Sequence, residues 1–206
     1  MRFTKLQGAG NDYIFVDGLN EERDWPEIAR RVADRHFGVG ADGLIVVTPS
    51  SSADIRMRMF NADGSEGEMC GNGIRCFAKF ALERELIEDN SRLLRIETGA
   101  GVLTVAPYWD HGKVIGAQVN MGPPTLNGQD VPVDASKIGP SDYGALDRGL
   151  VESLGLRPED LIFDAAIVVD GVSFAVTGVS MGNPHCILFV QEASDELVLG
   201  LGPMIE

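Results

Sequence analysis

The chain has 206 residues, with 17 Lys plus Arg against 31 Asp plus Glu and a formal net charge of −14. Its 44% hydrophobic and 23% charged residues are globular proportions that exclude wholesale disorder. No run approaches ~18 consecutive apolar residues, which excludes a membrane-spanning helix; the acidic balance, without a Lys/Arg cluster, argues against nucleic acid as a partner.

Taken in chain order, Phe3 to Gln7, Tyr13 to Asp17 and Leu44 to Thr48 read as strands. Between the last two, Asp24 is placed to cap a helix from Trp25 to Arg35, with Trp25, Ile28, Ala29 and Val32 on one face. Ile55 to Phe60 alternates apolar and polar in the half-buried strand pattern. Gly73 to Arg84 places Ile74, Phe77, Ala78, Ala81 and Leu82 at helical spacing. Cys76 and Phe80 widen that stripe, so this helix is expected to be covered on most sides. Leu93 to Thr98, Val102 to Ala106 and Val114 to Asn120 are further strands, with the Gly-Ala-Gly at 99–101 as a hairpin turn. The Pro- and Gly-bearing stretch from Met121 to Gly128 marks a domain boundary. Ser141 to Leu154 is a third helical candidate, weakened by Gly144 and Gly149. Ile167 to Val169 and Val172 to Val176 flank an Asp-Gly hairpin turn. Cys186 to Val190, apolar throughout, reads as a buried strand. Strand-rich segments with few helices predict an α+β fold. A faint internal repeat pairs the segment from Gly10 to Val16 with that from Gly182 to Val190: each is a Gly-Asn turn leading into an apolar run ending Phe-Val.

The three cysteines, Cys70, Cys76 and Cys186, come without a secretory leader pattern in MRFTKLQGAGND. They make no disulfide framework, and a cytoplasmic location is expected. Cys-x5-Cys without a nearby His is not zinc-ligand spacing, so no metal is expected. Gly38-Val39-Gly40-Ala41-Asp42-Gly43 matches the dinucleotide pattern GxGxxG, but a helix precedes it and a strand follows. No helix N-terminus then points at a pyrophosphate, and the reading is rejected.

The stretch from Met59 to Cys76 is the informative one. It sets Cys70 after a polar Gly-rich loop, at the start of the Gly73 to Arg84 helix. Backbone N–H groups there stabilise a thiolate and bind carboxylates. Cys70 therefore reads as a reactive thiol. Cys76, on another face among Phe77 and Phe80, reads as core, as does Cys186 in its apolar run. Asn11, Asn61, Asn72 and Asn183, all in Gly-rich turns, are either turn formers or amides that hold a zwitterionic ligand. His36 and His111 look like surface or helix-end residues. His185, at a strand start, is open to a structural or an active-site role.

GAGNDYIFVD at 8–17, GVGADGL at 38–44, FNADGSEGEMCGNGIRC at 60–76, ETGAG at 97–101 and MGNPHCILFV at 181–190 together resemble the bacterial diaminopimelate epimerases, in the family's order and along nearly the whole chain. The proline-racemase branch carries His where this chain has Asn72. The resemblance implies two similar α+β domains, each a barrel-like, mostly antiparallel sheet around a central helix, here residues 1–118 carrying Cys70 and an incomplete 119–206. It implies inversion of one stereocentre of LL-diaminopimelate to give the meso form, for lysine and peptidoglycan synthesis, without cofactor or metal. Two thiols act on opposite faces of Cα, in a homodimer of the full-length protein. By resemblance Cys70 is one catalytic thiol, Gly71 and Asn72 hold the α-carboxylate, Asn11, Asn61 and Asn183 contact the substrate, and His185 stands near the reacting centre. No side-chain contact is carried over at Gly43, where some relatives have Gln.

The family's second cysteine lies in a CGTG loop after a Glu-Arg pair, and no such loop occurs here. The internal repeat places the counterpart of Cys70 beyond Glu206. The expectation is therefore a C-terminally truncated epimerase, inactive alone and marginally stable. The alternatives are an inert truncated gene product, a same-fold isomerase of another amino acid, and a thiol redox protein.

Overall fold

Residues 1–87, 93–131 and 133–205 are described by a computed structural model. The chain divides into two compact units, Met1–Met121 and Gly122–Glu206.

In the first unit the apolar runs near Ile14 and Ile45 become neighbouring strands buried on both faces. Its elements are β1 (Thr4–Gly8), β2 (Asn11–Asp17), α1 (Trp25–Ala33), β3 (Gly43–Thr48), β4 (Ile55–Asn61), β5 (Glu66–Gly67), α2 (Gly71–Glu83), β6 (Leu94–Thr98), β7 (Gly101–Asp110) and β8 (Lys113–Asn120). The strands form one mixed sheet in the order β1-β2-β3-β4-β6-β7-β8, with β5 on β4. β2–β3 and β4–β6 are parallel pairs and the rest antiparallel. Because side chains alternate across a strand, Tyr13, Phe15, Ile45 and Val47 face α2, while Ile14, Val16, Leu44 and Val46 face α1. Both faces being covered, these strands read as continuous apolar runs. β4 has one such face: Ile55, Met57 and Met59 are buried against α2 between half-buried Arg56 and Arg58. α2 touches strands at both ends of the sheet, β1 and β8, so the sheet curls around it. Ile74, Phe77, Ala78 and Ala81 of α2 have no exposed surface.

α1 begins as expected, with the Asp24 carboxylate accepting from Glu27 N at 3.1 Å. The GxGxxG glycines serve packing. A Cβ on Gly43 would lie 2.2 Å from Phe60 O across β3–β4, and one on Gly38 would lie 2.4 Å from Arg31 O at the end of α1.

The second unit holds α3 (Arg148–Ser153), β9 (Ala165–Val169), β10 (Val172–Ser180), β11 (Pro184–Ile187), a π-helical turn (Glu196–Leu201) and α4 (Gly202–Ile205). Its sheet has the order β11-β10-β9, antiparallel throughout. Asp170 (φ 51°) and Gly171 (φ 78°) form the hairpin turn between β9 and β10, both left-handed as a type I′ turn requires. The internal repeat is visible in the backbone: Gly10 (φ 95°) and Gly182 (φ 106°) both turn the chain just before a strand.

Three expectations are corrected. The third helix starts only at Arg148, because the Asp142 carboxylate takes Gly144 N–H into a turn and the helix cap falls on Asp147. The strand expected from Cys186 to Val190 ends at Ile187, and Cys186 is exposed rather than core. β11 is an edge strand, and Phe189 beyond it is 83% exposed.

Candidate active site

Cys70 is the N-cap of α2, in extended conformation, and its Sγ accepts the Gly73 N–H at 3.3 Å. Sulfur thus takes the place usually filled by a Ser, Thr or Asp oxygen. The helix is seated against β3 by Gly73: a Cβ there would meet Ile45 Cδ1 at 2.9 Å and Cys70 Cβ at 3.3 Å. In the first turn the N–H groups of Gly71 and Asn72 have no acceptor within the helix. They give this end of α2 its partial positive charge. Cys70 is half-buried. The buried Tyr13 ring packs in the same cluster. Its hydroxyl pKa is pushed well above the ordinary value, first by burial and then by its hydrogen bond with Cys70.

Beside the thiol runs a chain of side-chain hydrogen bonds. Arg75 Nη2 donates to Asn72 Oδ1, and Arg75 Nε reaches Gly71 O at 3.4 Å. Asn72 Nδ2 donates to Asn11 Oδ1 at 2.8 Å, and Asn11 Nδ2 donates to Asp42 Oδ2 at 3.1 Å. Asp42 is itself anchored by Arg35 at 2.8 Å and by Asp12 N at 3.1 Å. Arg35 also pairs with Asp12 at 2.8 Å, and Lys5 with Asp12 at 2.9 Å. Arg35 first, then Lys5, hold the Asp12 carboxyl well below the usual carboxylate range. The loop before α2 is fixed separately: Arg58 grips Glu66 with two bonds of 2.7 Å and lies 4.9 Å above the Phe60 ring.

Of the residues expected from sequence, Cys70, Gly71, Asn72 and Asn11 come together at the N-terminus of α2. Asn61 stands at the end of β4, in the same row of the sheet as Tyr13 and Gly43. Its amide is used within its own turn, donating to Ser65 Oγ at 2.9 Å. Asn183 and His185 belong to the second unit, at the turn into β11. Both are exposed, and His185 Nδ1 is 2.9 Å from Asn183 O. Cys76 is buried in the core as expected, and burial pushes its thiol pKa up. His36 and His111 are exposed as expected.

Sequence reasoning missed Asp42, Arg75 and Tyr13. Arg75 carried a signal: a cation so near a helix N-terminus runs against the macrodipole and so needs a local partner.

The family model for diaminopimelate epimerase matches residues 3–127, spanning the Cys70 loop and the whole hydrogen-bonded chain beside it. The chain belongs to the diaminopimelate epimerase family. It is 42% identical to the diaminopimelate epimerase of Desulfovibrio desulfuricans and 42% identical to that of Desulfitobacterium hafniense. Each match takes in 100% of this chain and 66% of the relative, so the chain spans about two thirds of their length. Among solved structures, this chain is similar to a hydroxyproline epimerase from Agrobacterium vitis (TM-score 0.60, 13% identity, 97% of this chain and 56% of that one). It is also similar to a probable proline racemase from Agrobacterium radiobacter (TM-score 0.61, 12% identity, 97% and 56%). A PhzF-family phenazine biosynthesis protein from Bacillus anthracis follows (TM-score 0.54, 23% identity, 90% and 53%). At these identities the likeness concerns the fold, an α+β architecture with a curled sheet around a helix.

Proposed function

We propose that this chain carries one thiol half-site of a diaminopimelate epimerase, in which Cys70 exchanges a proton with Cα of diaminopimelate. The observation that carries the reading is the Cys70 thiol at the N-cap of α2, next to the free N–H groups of Gly71 and Asn72. In one direction the thiolate takes the Cα proton. The C–H electron pair stays on Cα, delocalised into the carboxylate, and a second acid delivers a proton to the opposite face. Such inversion needs an acid and a base held at contact distance on two sides of one carbon. It also needs dipoles aimed at the charge that develops on the carboxylate. Gly71 and Asn72 serve that carboxylate, and Asn11 and Asn61 the other polar groups. The chemistry uses thiols alone, with no cofactor or metal.

The second acid is neither of the other two thiols. Cys76 is enclosed by the core, and Cys186 lies in the GNPHC segment that the family resemblance assigns to substrate contact. Residues 1–206 alone are therefore proposed not to invert the substrate; the enzyme is proposed to act in the cytoplasm as a homodimer.

Iodoacetamide labelling read by peptide mass spectrometry tests the half-site. Cys70 is expected to label in the native chain while Cys76 stays silent, and millimolar diaminopimelate is expected to slow Cys70 labelling. Labelling that ignores diaminopimelate contradicts the proposal; protection by hydroxyproline or proline instead assigns a same-fold isomerase of another amino acid.

A further inference from the structure

Two amides, Asn72 and Asn11, lie in series between a group that can only donate and a group that can only accept. Arg75 offers N–H alone, and the Asp42 carboxylate offers lone pairs alone. Three bonds run in one direction: Arg75 to Asn72 Oδ1, Asn72 Nδ2 to Asn11 Oδ1, and Asn11 Nδ2 to Asp42 Oδ2. An amide side chain has nearly the same shape in its two flipped orientations, so polarity is set by its partners. Flipping Asn11 would turn its oxygen onto a carboxylate and its NH2 onto the Asn72 NH2. Flipping Asn72 would turn its NH2 onto the guanidinium. Only one arrangement of the pair satisfies both ends.

Both ends are themselves anchored. Asp42 is held by Arg35 and by the backbone N–H of Asp12, and Arg75 by the Gly71 carbonyl. In the arrangement so fixed, each amide has spent one Nδ2 hydrogen and keeps the other. Asn72 is itself the second residue of α2, whose Gly71 and Asn72 backbone N–H groups have no acceptor within the helix.

We infer that Arg75 and Asp42 are positioning residues that lock the orientation of Asn72 and Asn11, so that each amide presents an N–H to an anionic group of the ligand. The ligand in question is that of the proposed function, on which this inference rests.

The test uses the 206-residue chain and three variants: Asp42→Asn and Arg75→Gln, which put a group of either polarity at an end, and Arg75→Lys, which keeps a pure donor. Side-chain amide spectra (15N–1H) of Asn11 and Asn72 are recorded without ligand. In the parent chain one hydrogen of each NH2 is expected to be downfield and protected from exchange. Asp42→Asn is expected to remove that signature from Asn11, Arg75→Gln from Asn72, and Arg75→Lys to retain it. Unchanged Asn11 and Asn72 signals in both neutral variants overturn the inference, as does loss of the signature in Arg75→Lys. The second readout is the diaminopimelate concentration that half-protects Cys70 from iodoacetamide. It is expected to rise about tenfold in Asp42→Asn and Arg75→Gln, the factor for one misdirected charge-assisted bond, and to stay near the parent value in Arg75→Lys. A parent chain that diaminopimelate does not protect contradicts the proposed function and leaves the amide spectra to decide the locking on their own. A protected parent with equally protected neutral variants overturns the inference alone.

Discussion

Asp12 sits between two cations, Arg35 and Lys5, and ties β1, β2 and the loop before β3 into one polar cluster. Water screens such partly exposed pairs, so Asp12→Asn is expected to lower stability by about 1 kcal/mol at neutral pH. The sign with pH follows from its depressed carboxyl. The contribution is present above the unfolded carboxylate pKa of about 3.9 and is lost as pH falls below it. Urea melts of chain and variant should therefore differ at pH 7 and converge in acid; a constant gap contradicts the ion-pair account. Tyr13 behaves in the opposite sense. Its raised pKa gives a contribution that is present below about pH 10 and lost as pH climbs through the folded value. The 295 nm difference spectrum between the chain and Tyr13→Phe should show far less tyrosinate from Tyr13 at pH 11 than an ordinary tyrosine gives. A full tyrosinate signal from it in the native state contradicts its burial against Cys70.

At the scale of elements, β3 and β4 are pressed together at Gly43, where a Cβ would lie 2.2 Å from the Phe60 carbonyl oxygen. The obstacle is backbone within a pair of strands, so it cannot rotate away. Gly43→Ala is expected to cost about 3 kcal/mol or more, at or above the usual range for overpacking; parent-like stability in urea contradicts this. The same elements show what the sequence made legible. β2, β3 and α2 were readable because full burial leaves an apolar signature that needs no knowledge of neighbours. The cap at Asp24 and the Asp170-Gly171 turn were readable because they are local. Three things were not. β5 has two residues and no room for a period. The run after Cys186 has the composition of a covered strand, yet β11 lies at a sheet edge, and only topology says so. In the candidate site, Cys70, Gly71 and Asn72 were legible from one contiguous loop. Asp42 was not, because its bond to Asn11 joins residues 31 apart in sequence.

Over the whole molecule, apolar burial is uneven between the two units. The first holds the large enclosed side chains, among them Phe15, Phe60, Phe77, Ile45 and Ile96, whereas among the described residues the buried apolar side chains of the second are Val131, Val151, Ala165 and Val176. The second also exposes Val168, Phe189 and Leu199 at 69%, 83% and 71%. Apolar burial of about 1.5–3 kcal/mol per large side chain favours the first unit by a wide margin. The second unit is therefore expected to lose amide protection first on heating, and the native chain is expected to bind ANS. One sharp cooperative melt without ANS binding contradicts this reading.

The central claim, that the Cys70 thiol moves the Cα proton of diaminopimelate, is tested most directly by hydrogen exchange. LL-Diaminopimelate is incubated in D2O with the 206-residue chain or its Cys70→Ala variant. Deuterium at Cα is read by mass spectrometry and stereochemistry by chiral chromatography. The account predicts Cα exchange by the parent chain, reduced about a hundredfold or more in Cys70→Ala, the lower end of what a positioned general base contributes, with no accumulation of the meso form. Exchange that survives in Cys70→Ala, or no exchange by the parent chain, contradicts the role given to Cys70.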